Sequence, residues 1–525
     1  MAKPMLLVCL TAAVNCASVG YDSAMMSSIN ILDAFTEKFD VDADLKGLLT
    51  AAQNIGAIAG GFIAGSVVDR LGRKGGILAS SITILISCLL LTTANSRAQF
   101  FVGRSLVGLA KAFDIAAVPT YLVEMAPPHR RGLVAGFYWA CWLLGSIIAA
   151  AVGYGSRSIE GTWSWRTICI CMSGPALACI LVLFFIPESP RWLVSKGREE
   201  EGLDVLAKYH GNGDRTHQLV VSQFREIKET IAYEQANRYE TWKAWWNDFN
   251  TPPNRRRAFT LVTLGVFEQT VGSSIITFYT GSVLDLSGIT GEKQQFAINL
   301  SQTCVAFASA LCGIFLIDKV GRVKMLVAGS VFCAAVLACM AGLTAQQLDT
   351  QAGRNGIIAM LFLFQMGYSS TWTPLSFSYC AEVLNFTLRA KGMAFYNIFT
   401  SSSGFINQYV IPVGLANIKW RFYIIGVVWD IFMAIVIVFT YIETKGLTLE
   451  QIQKRFEGTP RSELGNILEV YHGEKPLQEF ELDNSRGGTA GAFATAAEET
   501  KGKGTSAAVK SDAIETIATT TSIAP

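Results

Sequence analysis

Twelve long apolar segments constrain the fold of this chain more than any other feature of its sequence. Each is roughly 20 residues long, the length of helix that crosses the hydrocarbon core of a bilayer. The composition agrees, since 51% of the 525 residues are hydrophobic, 16% are charged and the mean hydropathy is +0.36. We therefore predict an all-α membrane protein. Its twelve transmembrane helices are predicted at residues 5–27, 47–68, 75–94, 99–124, 132–153, 165–186, 258–283, 294–317, 324–345, 356–380, 391–414 and 420–441.

The apolar segments fall into two groups of six, separated by a polar stretch. Within this stretch, residues 199–209 and 221–237 have the pattern of amphipathic helices. The last 42 residues, 484–525, are mostly small and polar and have no apolar face to bury, which predicts disorder. The predicted domains are an N-terminal bundle (1–186), a linker with amphipathic helices (187–257), a C-terminal bundle (258–441), a partly helical tail (442–483) and a disordered tail (484–525).

Arginine and lysine cluster in the short loops after the second, fourth, eighth and tenth segments, whereas the loop after the first segment is acidic. The four basic loops lie on the same side of the membrane as the linker and both termini. Because basic loops are preferentially cytoplasmic, we predict that both termini are cytoplasmic, in the plasma membrane. The first segment starts almost at Met1 and lacks a small-residue cleavage site, so we interpret it as a retained helix.

The sequence shows no pattern typical of an enzyme, a metal site or a nucleic-acid-binding protein. The twelve cysteines lie in or beside apolar segments without a CxxC pair, which is typical of small residues packed between helices. All four histidines fall outside the predicted spans, and no phosphate-binding loop or nucleophile elbow is present. A net charge of +2 gives no support for nucleic acid as a partner. We therefore expect no catalysis, cofactor or metal.

The two halves of the chain repeat a charged motif at matching positions. Residues 69–74 (DRLGRK) follow the second segment, and residues 318–324 (DKVGRVK) follow the eighth. Glu124 precedes Arg131 by seven residues after the fourth segment, as Glu382 precedes Arg389 after the tenth. Repeats at equivalent helix ends predict two similar six-helix bundles that face each other.

These repeated charges predict a gate at the cytoplasmic side. In this interpretation, Asp69 caps a helix of the other bundle, and Arg73 or Arg131 pairs with Glu188 or Glu443 across the gap. The alternative is that the charges only determine membrane topology. The predicted gate residues are Asp69, Arg70, Arg73, Glu124, Arg131, Glu188, Arg191, Asp318, Arg322, Glu382, Arg389 and Glu443.

With these motifs, residues 1 to about 460 resemble the sugar porter family of the major facilitator superfamily. The resemblance includes residues 103–108 (GRSLVG), 119–124 (PTYLVE) and 187–193 (PESPRWL). It implies a major facilitator fold whose two bundles rock around a mid-membrane site. Several runs resemble the fungal lactose-permease-like and cellodextrin-transporter branch more closely, namely 20–23 (GYDS), 54–56 (NIG), 208–210 (KYH), 373–375 (TPL), 389–393 (RAKGM) and 407–409 (NQY).

Asp22 places a carboxylate inside the first apolar segment, where a charge costs several kcal/mol and is kept mainly for function. In proton-coupled members of the family, an aspartate of the first span faces an arginine of the fourth. The matching residues here are Asp22 and Arg104. Protonation of the carboxylate would release the arginine and reshape the cavity. The alternative is a static ion pair that only packs the bundle.

The resemblance also implies where a sugar would bind, and there this chain departs from the family. Gln269 and Tyr279 match the family pattern, whereas the family's other sugar-contacting residues are replaced, which disfavours a simple hexose. Lys111 lies seven residues after Arg104 and on nearly the same helix face. Asp114 could neutralise it locally; otherwise it could face Glu268 or hold an acidic ligand. The predicted substrate residues are Lys111, Trp139, Glu268, Gln269, Ser274, Tyr279 and Phe377.

The sequence therefore predicts a secondary active transporter, a monomer in the lipid bilayer, that couples proton entry to import of a di- or oligosaccharide. One alternative is a carrier of a sugar acid or another metabolite. A second alternative is a non-transporting sugar receptor whose tail signals inside the cell.

Overall fold

The fold is described from a computed structural model, which describes residues 3–126, 131–211, 213–236, 250–346, 351–384, 389–447 and 449–456. Five predicted site residues, which lie in helices, have side chains outside the described part: Arg131, Trp139, Asp318, Phe377 and Arg389. The predicted tail beyond residue 456 also lies outside the described residues.

Every regular element of the described chain is a helix. In chain order the helices are α1 (Lys3–Ile29), α2 (Asp33–Phe39), α3 (Ala43–Thr92), α4 (Arg97–Met125), α5 (Arg131–Ser156), α6 (Trp163–Cys171), α7 (Ser173–Leu183), α8 (Pro190–Ser195), α9 (Glu199–His210), α10 (Gln218–Ala236), α11 (Pro252–Thr270), α12 (Ser273–Leu286), α13 (Glu292–Val320), α14 (Arg322–Ala345), α15 (Gln351–Val383), α16 (Arg389–Ile418), α17 (Arg421–Thr440) and α18 (Leu449–Phe456).

These helices confirm the prediction of twelve spans in two bundles of six. Spans two and three are both in α3, which is interrupted at Gly72, where φ is +88°. Span six is divided into α6 and α7 at Met172. Span seven is divided into α11 and α12 at Gly272, where φ is +79°. By length and composition alone, eight helices or joined helix pairs of the described chain could cross a membrane.

Glycine pairs allow α1 to pack closely against α5. A Cβ atom on Gly20 would overlap the carbonyl group of Trp142, and one on Gly145 would overlap the carbonyl group of Ala17. The hydroxyl of Ser146 donates a hydrogen bond to the Gly20 carbonyl oxygen at 3.0 Å. Small residues of this kind bring helix backbones together in membranes, where van der Waals contact drives association. The contact holds the part of α1 that carries Asp22 against α5.

The same reciprocal arrangement joins α3 to α4. A Cβ atom on Gly56 would overlap the carbonyl group of Ser105, and one on Gly108 would overlap the carbonyl group of Gln53. Because the two backbones touch at Gln53 and Gly108, the Gln53 side chain comes within reach of Arg104, one turn earlier on α4. The glycines of α3 and α4 therefore help to position the polar site.

The two bundles pack against each other through α3 with α16 and through α5 with α13. At the second contact, Leu143 packs with Ala306 and Ala310 in a small apolar cluster. At the first, a Cβ on Gly47 would lie 2.7 Å from the Tyr409 carbonyl oxygen. These contacts hold the bundles in one arrangement.

Hydrogen bonds between the bundles concentrate at the end where α2 lies, which we call the acidic end. The opposite end, with the loops at Gly72 and Gly321, is the basic end. At the acidic end, the backbone N–H of Asp33 donates to Glu292 Oε1 at 3.0 Å. Lys46 Nζ donates to Ser282 Oγ at 3.2 Å. These bonds join α2 and α3 of one bundle to α12 and α13 of the other.

Two further hydrogen bonds between the bundles lie deeper in the protein, at the end of α1. Asn30 Nδ2 donates to the carbonyl oxygen of Phe278 at 3.2 Å. Ser27 Oγ donates to Asn299 Oδ1 at 3.1 Å. The structure therefore has its bundles joined by polar contacts from the acidic end into the membrane interior.

Helices α9 and α10 lie within residues 187–257, where the sequence predicts two amphipathic helices. At the end of α9, His210 Nε2 lies 3.1 Å from the carbonyl oxygen of Met125, the last residue of α4. Tyr209 is buried in the apolar cluster of the N-terminal bundle. On the other bundle, Phe456 of α18 lies under the Arg257 guanidinium, 4.9 Å from its carbon to the ring centroid.

We expect Gly56→Ala and Gly108→Ala each to destabilise the protein. The added methyl group would overlap a backbone carbonyl that cannot rotate away, and overpacking of this kind costs roughly 1–3 kcal/mol. The measurement is the midpoint of thermal unfolding of the detergent-solubilised protein. Gly65→Ala is the matched control, since a Cβ there has nothing within 4 Å and alanine favours a helix. Equal midpoints for all three variants would contradict the role of the glycines.

Candidate functional site

Asp22 and Arg104 form a buried ion pair between α1 and α4. Arg104 Nη1 donates to Asp22 Oδ1 at 2.8 Å, and the two side chains are 0% and 5% exposed. Arg104 Nη2 donates to Gln53 Oε1 of α3 at 2.9 Å. Within the described part of the chain, Asp22 Oδ2 and Arg104 Nε have no hydrogen-bond partner. The pair predicted from the sequence is therefore present, with Gln53 as a third member that the sequence did not reveal.

Lys111 lies two turns after Arg104 and reaches the same charged region. It is partly buried, and its charge interacts with those of Asp22, Arg104 and Glu268. No described residue forms an ion pair or hydrogen bond with its ammonium group. The local partner proposed from the sequence, Asp114, is buried with both carboxylate oxygens unpaired among the described residues. The alternative of a local Lys111–Asp114 pair is therefore wrong for this conformation.

Glu268 approaches this region from the C-terminal bundle. It lies at the end of α11, just before the break at Gly272, and its Oε2 accepts a hydrogen bond from the Tyr396 hydroxyl of α16. Its charge interacts with that of Lys111. Broken helices with free backbone groups commonly line the binding sites of transporters. The break therefore positions a carboxylate near the centre of the molecule.

Side-chain amides surround the break and connect the two bundles. Asn54 Nδ2 of α3 donates to Gln408 Oε1 of α16 at 3.0 Å. Asn407 Nδ2 donates to the backbone carbonyl of Gln269 at 2.5 Å. The amides of Gln269 and Asn54 both lie beside Gly404, whose missing side chain leaves room for them. Amides paired across an interface can exchange these bonds for the hydroxyl groups of a polar solute.

The sequence-based site omitted Asn54, Asn407 and Gln408. A signal for them was present, because they lie in the runs at 54–56 and 407–409 that carry part of the family resemblance. The prediction used those runs for classification and did not assign them a role.

Two predicted substrate residues form hydrogen bonds within the protein. Ser274 is buried and donates to the Gln269 carbonyl oxygen at 3.3 Å. Tyr279 is buried and its hydroxyl donates to the Gln408 carbonyl oxygen at 2.6 Å. Both hydroxyl groups therefore bond to backbone carbonyl oxygens, one on α11 and one on α16. Two other predicted residues, Trp139 and Phe377, lie outside the described side chains.

At the basic end of the N-terminal bundle, the predicted gate residues pair with one another. Arg73 binds Glu124 through two parallel hydrogen bonds of 3.1 Å, and Ser189 Oγ donates to Glu124 at 2.5 Å. Glu188 accepts from the backbone N–H groups of Arg73 at 3.0 Å and Lys74 at 3.2 Å. A carboxylate in this position stabilises the start of the second half of α3.

Burying the Glu188 carboxylate in this cluster has an electrostatic cost, and the backbone N–H groups that bond to it offset part of that cost. Burial raises the pKa of the Glu188 carboxyl, while hydrogen bonds from the backbone of Ser189, Lys74 and Arg73 lower the same pKa. Gly72 is needed because a Cβ there would overlap this carboxylate. The positive φ at Gly72 and the cap by Glu188 therefore belong to one arrangement.

The C-terminal bundle repeats this cluster residue by residue. Arg322 binds Glu382 at 3.1 to 3.3 Å, and Thr444 Oγ1 donates to Glu382 at 2.6 Å. Glu443 accepts from the backbone N–H groups of Arg322 at 2.9 Å and Val323 at 3.1 Å. The internal repeat in the sequence therefore corresponds to a repeated three-dimensional cluster.

The predicted latch across the two bundles is not formed by the described residues in this conformation, and it stays a prediction for the opposite one. Arg73 pairs with Glu124 and Asp69 of its own bundle, at 3.1 and 3.6 Å, and does not reach Glu443. Glu188, and not Asp69, caps a helix, and it does so within its own bundle. The carboxylates of Glu188 and Glu443 each bond to a helix start in their own repeat, so they pair within their own bundles.

The other gate residues have less defined positions. The side chains of Asp69 and Arg70 are exposed at the basic end. Arg191 is partly buried at the first turn of α8. The side chains of Arg131, Asp318 and Arg389 are not among those described. The described residues include no group of three His, Cys, Asp or Glu side chains that could hold a metal ion.

Comparisons with known proteins agree with this architecture. The family model described as "Sugar (and other) transporter" matches residues 8–456. The high-affinity glucose transporter of Kluyveromyces lactis is 29% identical over 455 residues, covering 83% of this chain and 82% of that protein. The MFS-type transporter criB of Aspergillus cristatus is 28% identical over 438 residues, covering 83% of this chain and 90% of that protein. These matches do not select the lactose-permease-like or cellodextrin branch.

Solved structures share the fold at lower identity. The partially occluded inward-open xylose transporter XylE from E. coli has a TM-score of 0.72 at 19% identity, covering 85% of this chain and all of that chain. The proton:xylose symporter XylE bound to 6-bromo-6-deoxy-D-glucose has a TM-score of 0.70 at 20% identity, covering 87% and 99% of the two chains.

We expect Glu124→Gln and Glu382→Gln to lower the midpoint of thermal unfolding by similar amounts. Each removes the charge from a largely buried bidentate pair with arginine, and a hydrogen bond to a charged group contributes roughly 1.5–3 kcal/mol. Similar losses are expected because the two clusters have the same partners. Arg70→Met, at an exposed position of the same end, should leave the midpoint unchanged. A loss in only one of the two glutamate variants would contradict the equivalence of the clusters.

Proposed function

Because the chain belongs to the sugar transporter family of the major facilitator superfamily, we propose that it imports a sugar together with protons by alternating access. The observation that carries the proton coupling is the buried Asp22–Arg104 pair, which is joined to Gln53. Neither charge can remain alone at this depth without a large cost. Any change in the protonation of Asp22 must therefore move Arg104.

The proposed coupling step follows from the hydrogen bonds. A proton that binds Asp22 neutralises the carboxylate, and the attraction for the Arg104 guanidinium falls. Arg104 then keeps its bond to Gln53 of α3 and turns toward the nearest remaining acceptors. Since α1, α3 and α4 meet at these three residues, the change alters how α1 and α3 face the other bundle. Loss of the proton on the cytoplasmic side restores the pair.

The inter-bundle bonds support a conformation that is closed at the acidic end. Asp33, Lys46 and Asn30 all connect to the other bundle there. At the basic end, the polar contacts of Glu188 and Glu443 with described residues stay within their own bundles. We assign the basic end, with both termini, to the cytoplasm of cells that carry the protein in the plasma membrane. In the opposite conformation, the exposed Asp69 and Arg70 are free to bridge the gap.

For the solute, we propose a di- or oligosaccharide, with glucose as the second candidate. The first choice is supported by the replacement of family positions at Glu268 and Ser274, which no longer offer the amides expected for a hexose. The second is supported by the names of the relatives, which include glucose transporters. The amides of Asn54, Gln269 and Asn407 supply the donors and acceptors that hydroxyl groups of either solute require.

We expect Asp22→Asn to abolish accumulation of sugar against its gradient while sugar exchange at equilibrium persists. Asparagine resembles the protonated carboxyl group, so the carrier can still move but no longer responds to protons. The measurement is uptake of labelled glucose, lactose and cellobiose into proteoliposomes, with an imposed proton gradient and with a protonophore. The control is Asp114→Asn on α4, which removes a buried carboxylate that does not pair with Arg104. Protonophore-sensitive accumulation by Asp22→Asn would contradict the coupling role.

We expect cellobiose or lactose to raise the midpoint of thermal unfolding of the purified protein more than glucose at equal concentration. At a fixed concentration, a ligand that binds only the folded state stabilises it more when its affinity is higher. Glucuronate and sorbitol belong in the same panel as charged and acyclic comparisons. A larger shift with glucose than with either disaccharide would favour the second candidate. A shift without flux of any solute would favour the receptor.

A further inference from the structure

Lys111 and Glu268 are opposite charges from the two bundles at similar depth. Lys111 lies near the middle of α4 (Arg97–Met125), and Glu268 lies near the middle of the span Pro252–Leu286. Each is partly exposed. Their charges interact with each other, although they form no direct ion pair within 4.0 Å.

Both groups keep hydrogen-bonding capacity for a ligand. Glu268 accepts from Tyr396 through Oε2, which positions the carboxylate, and each carboxylate oxygen can accept more than one hydrogen bond. The three N–H donors of the Lys111 ammonium form no hydrogen bond with the described side chains. An ammonium and a carboxylate held apart in this way complement two neighbouring hydroxyl groups, each of which can accept one hydrogen bond and donate another.

We propose that Lys111 and Glu268 together grip a vicinal diol of a neutral sugar and thereby select neutral sugars over sugar acids. The proposal rests on the proposed sugar site between the bundles. Lys111 donates to one hydroxyl oxygen, and the neighbouring hydroxyl donates to Glu268. A diol satisfies both charges without adding a third.

The surrounding charges explain why an acidic sugar is rejected. Asp22, Arg104, Lys111 and Glu268 balance as two anions and two cations. A solute carboxylate could bind Lys111, but it would add an uncompensated charge beside Glu268 and Asp22 in a poorly solvated site. The lysine by itself suggested a sugar-acid carrier, whereas the lysine with its opposing glutamate favours a neutral ligand.

The test measures competition against exchange of a labelled sugar in proteoliposomes. The labelled sugar is whichever of glucose, lactose or cellobiose the wild-type protein exchanges, and the competitors are the same unlabelled sugar and glucuronate. We expect Lys111→Met to weaken the neutral sugar by roughly 10- to 100-fold, the range for lost hydrogen bonds to a charged group. We expect Glu268→Gln to lower the ratio of the glucuronate to the neutral-sugar inhibition constant by roughly tenfold, since removing one like charge is worth about a pKa unit or more.

Two controls separate this effect from general damage. Lys293→Met removes an exposed lysine at the acidic end, and Asp430→Asn removes a buried carboxylate of α17 that lies away from the Lys111 interaction. Neither should change the ratio. The double variant with Lys111→Glu and Glu268→Lys should bind the neutral sugar more tightly than the single variant Lys111→Glu.

The outcomes distinguish this proposal from the proposed function. A wild-type protein that exchanges a neutral sugar, with an unchanged ratio in Glu268→Gln, would overturn the diol pair and leave sugar transport intact. An unchanged neutral-sugar affinity in Lys111→Met would overturn it as well. A correctly folded wild-type protein that exchanges none of the sugars would contradict the proposed function, and the diol pair with it.

Discussion

The ion pair between Asp22 and Arg104 is the interaction on which the polar interior of this protein depends. Its two groups are almost fully buried, and each would be costly without the other. Gln53 joins the pair because α3 approaches α4 closely enough for its side chain to reach Arg104, and that approach requires glycine at positions 56 and 108. The glycine positions, the packing of α3 on α4 and the buried charges therefore all contribute to this one site.

The two bundles behave as repeated units because each closes its own basic end. Arg73 with Glu124 links α3 to α4, and Arg322 with Glu382 links α14 to α15. Glu188 and Glu443 each cap the helical segment that begins after a glycine of positive φ. The polar contacts described between the bundles are instead single hydrogen bonds, most of them from Ser, Asn or Lys side chains. Strong bonds within the bundles and weaker bonds between them favour rigid-body movement of one bundle against the other.

The charged motifs of the sequence and its family resemblance predicted one pair of the site but not the others. Asp22 and Arg104 were predicted as partners, and the structure joins them. The gate residues were predicted as a set, but their partners were assigned across the gap, although the nearest helix start belongs to the same repeat. Asn54 and Asn407 lie in runs that carried part of the family resemblance, but a single amide in an apolar segment has no spacing pattern that assigns it a role. Only the fold places Asn54 opposite the Gln408 amide and Asn407 opposite the Gln269 backbone carbonyl.

The sequence by itself determined the number of spans, their division into two repeats and the family, because hydrophobic length and repeated charge are local properties of the chain. Only the tertiary structure decided which side chains meet. It separated Lys111 from Asp114, one turn away, and brought it within electrostatic range of Glu268, 157 positions later in the sequence. The physical reason is that the direction in which a helical side chain points depends on how its helix is rotated and packed, and packing between distant helices is not encoded in spacing along one of them.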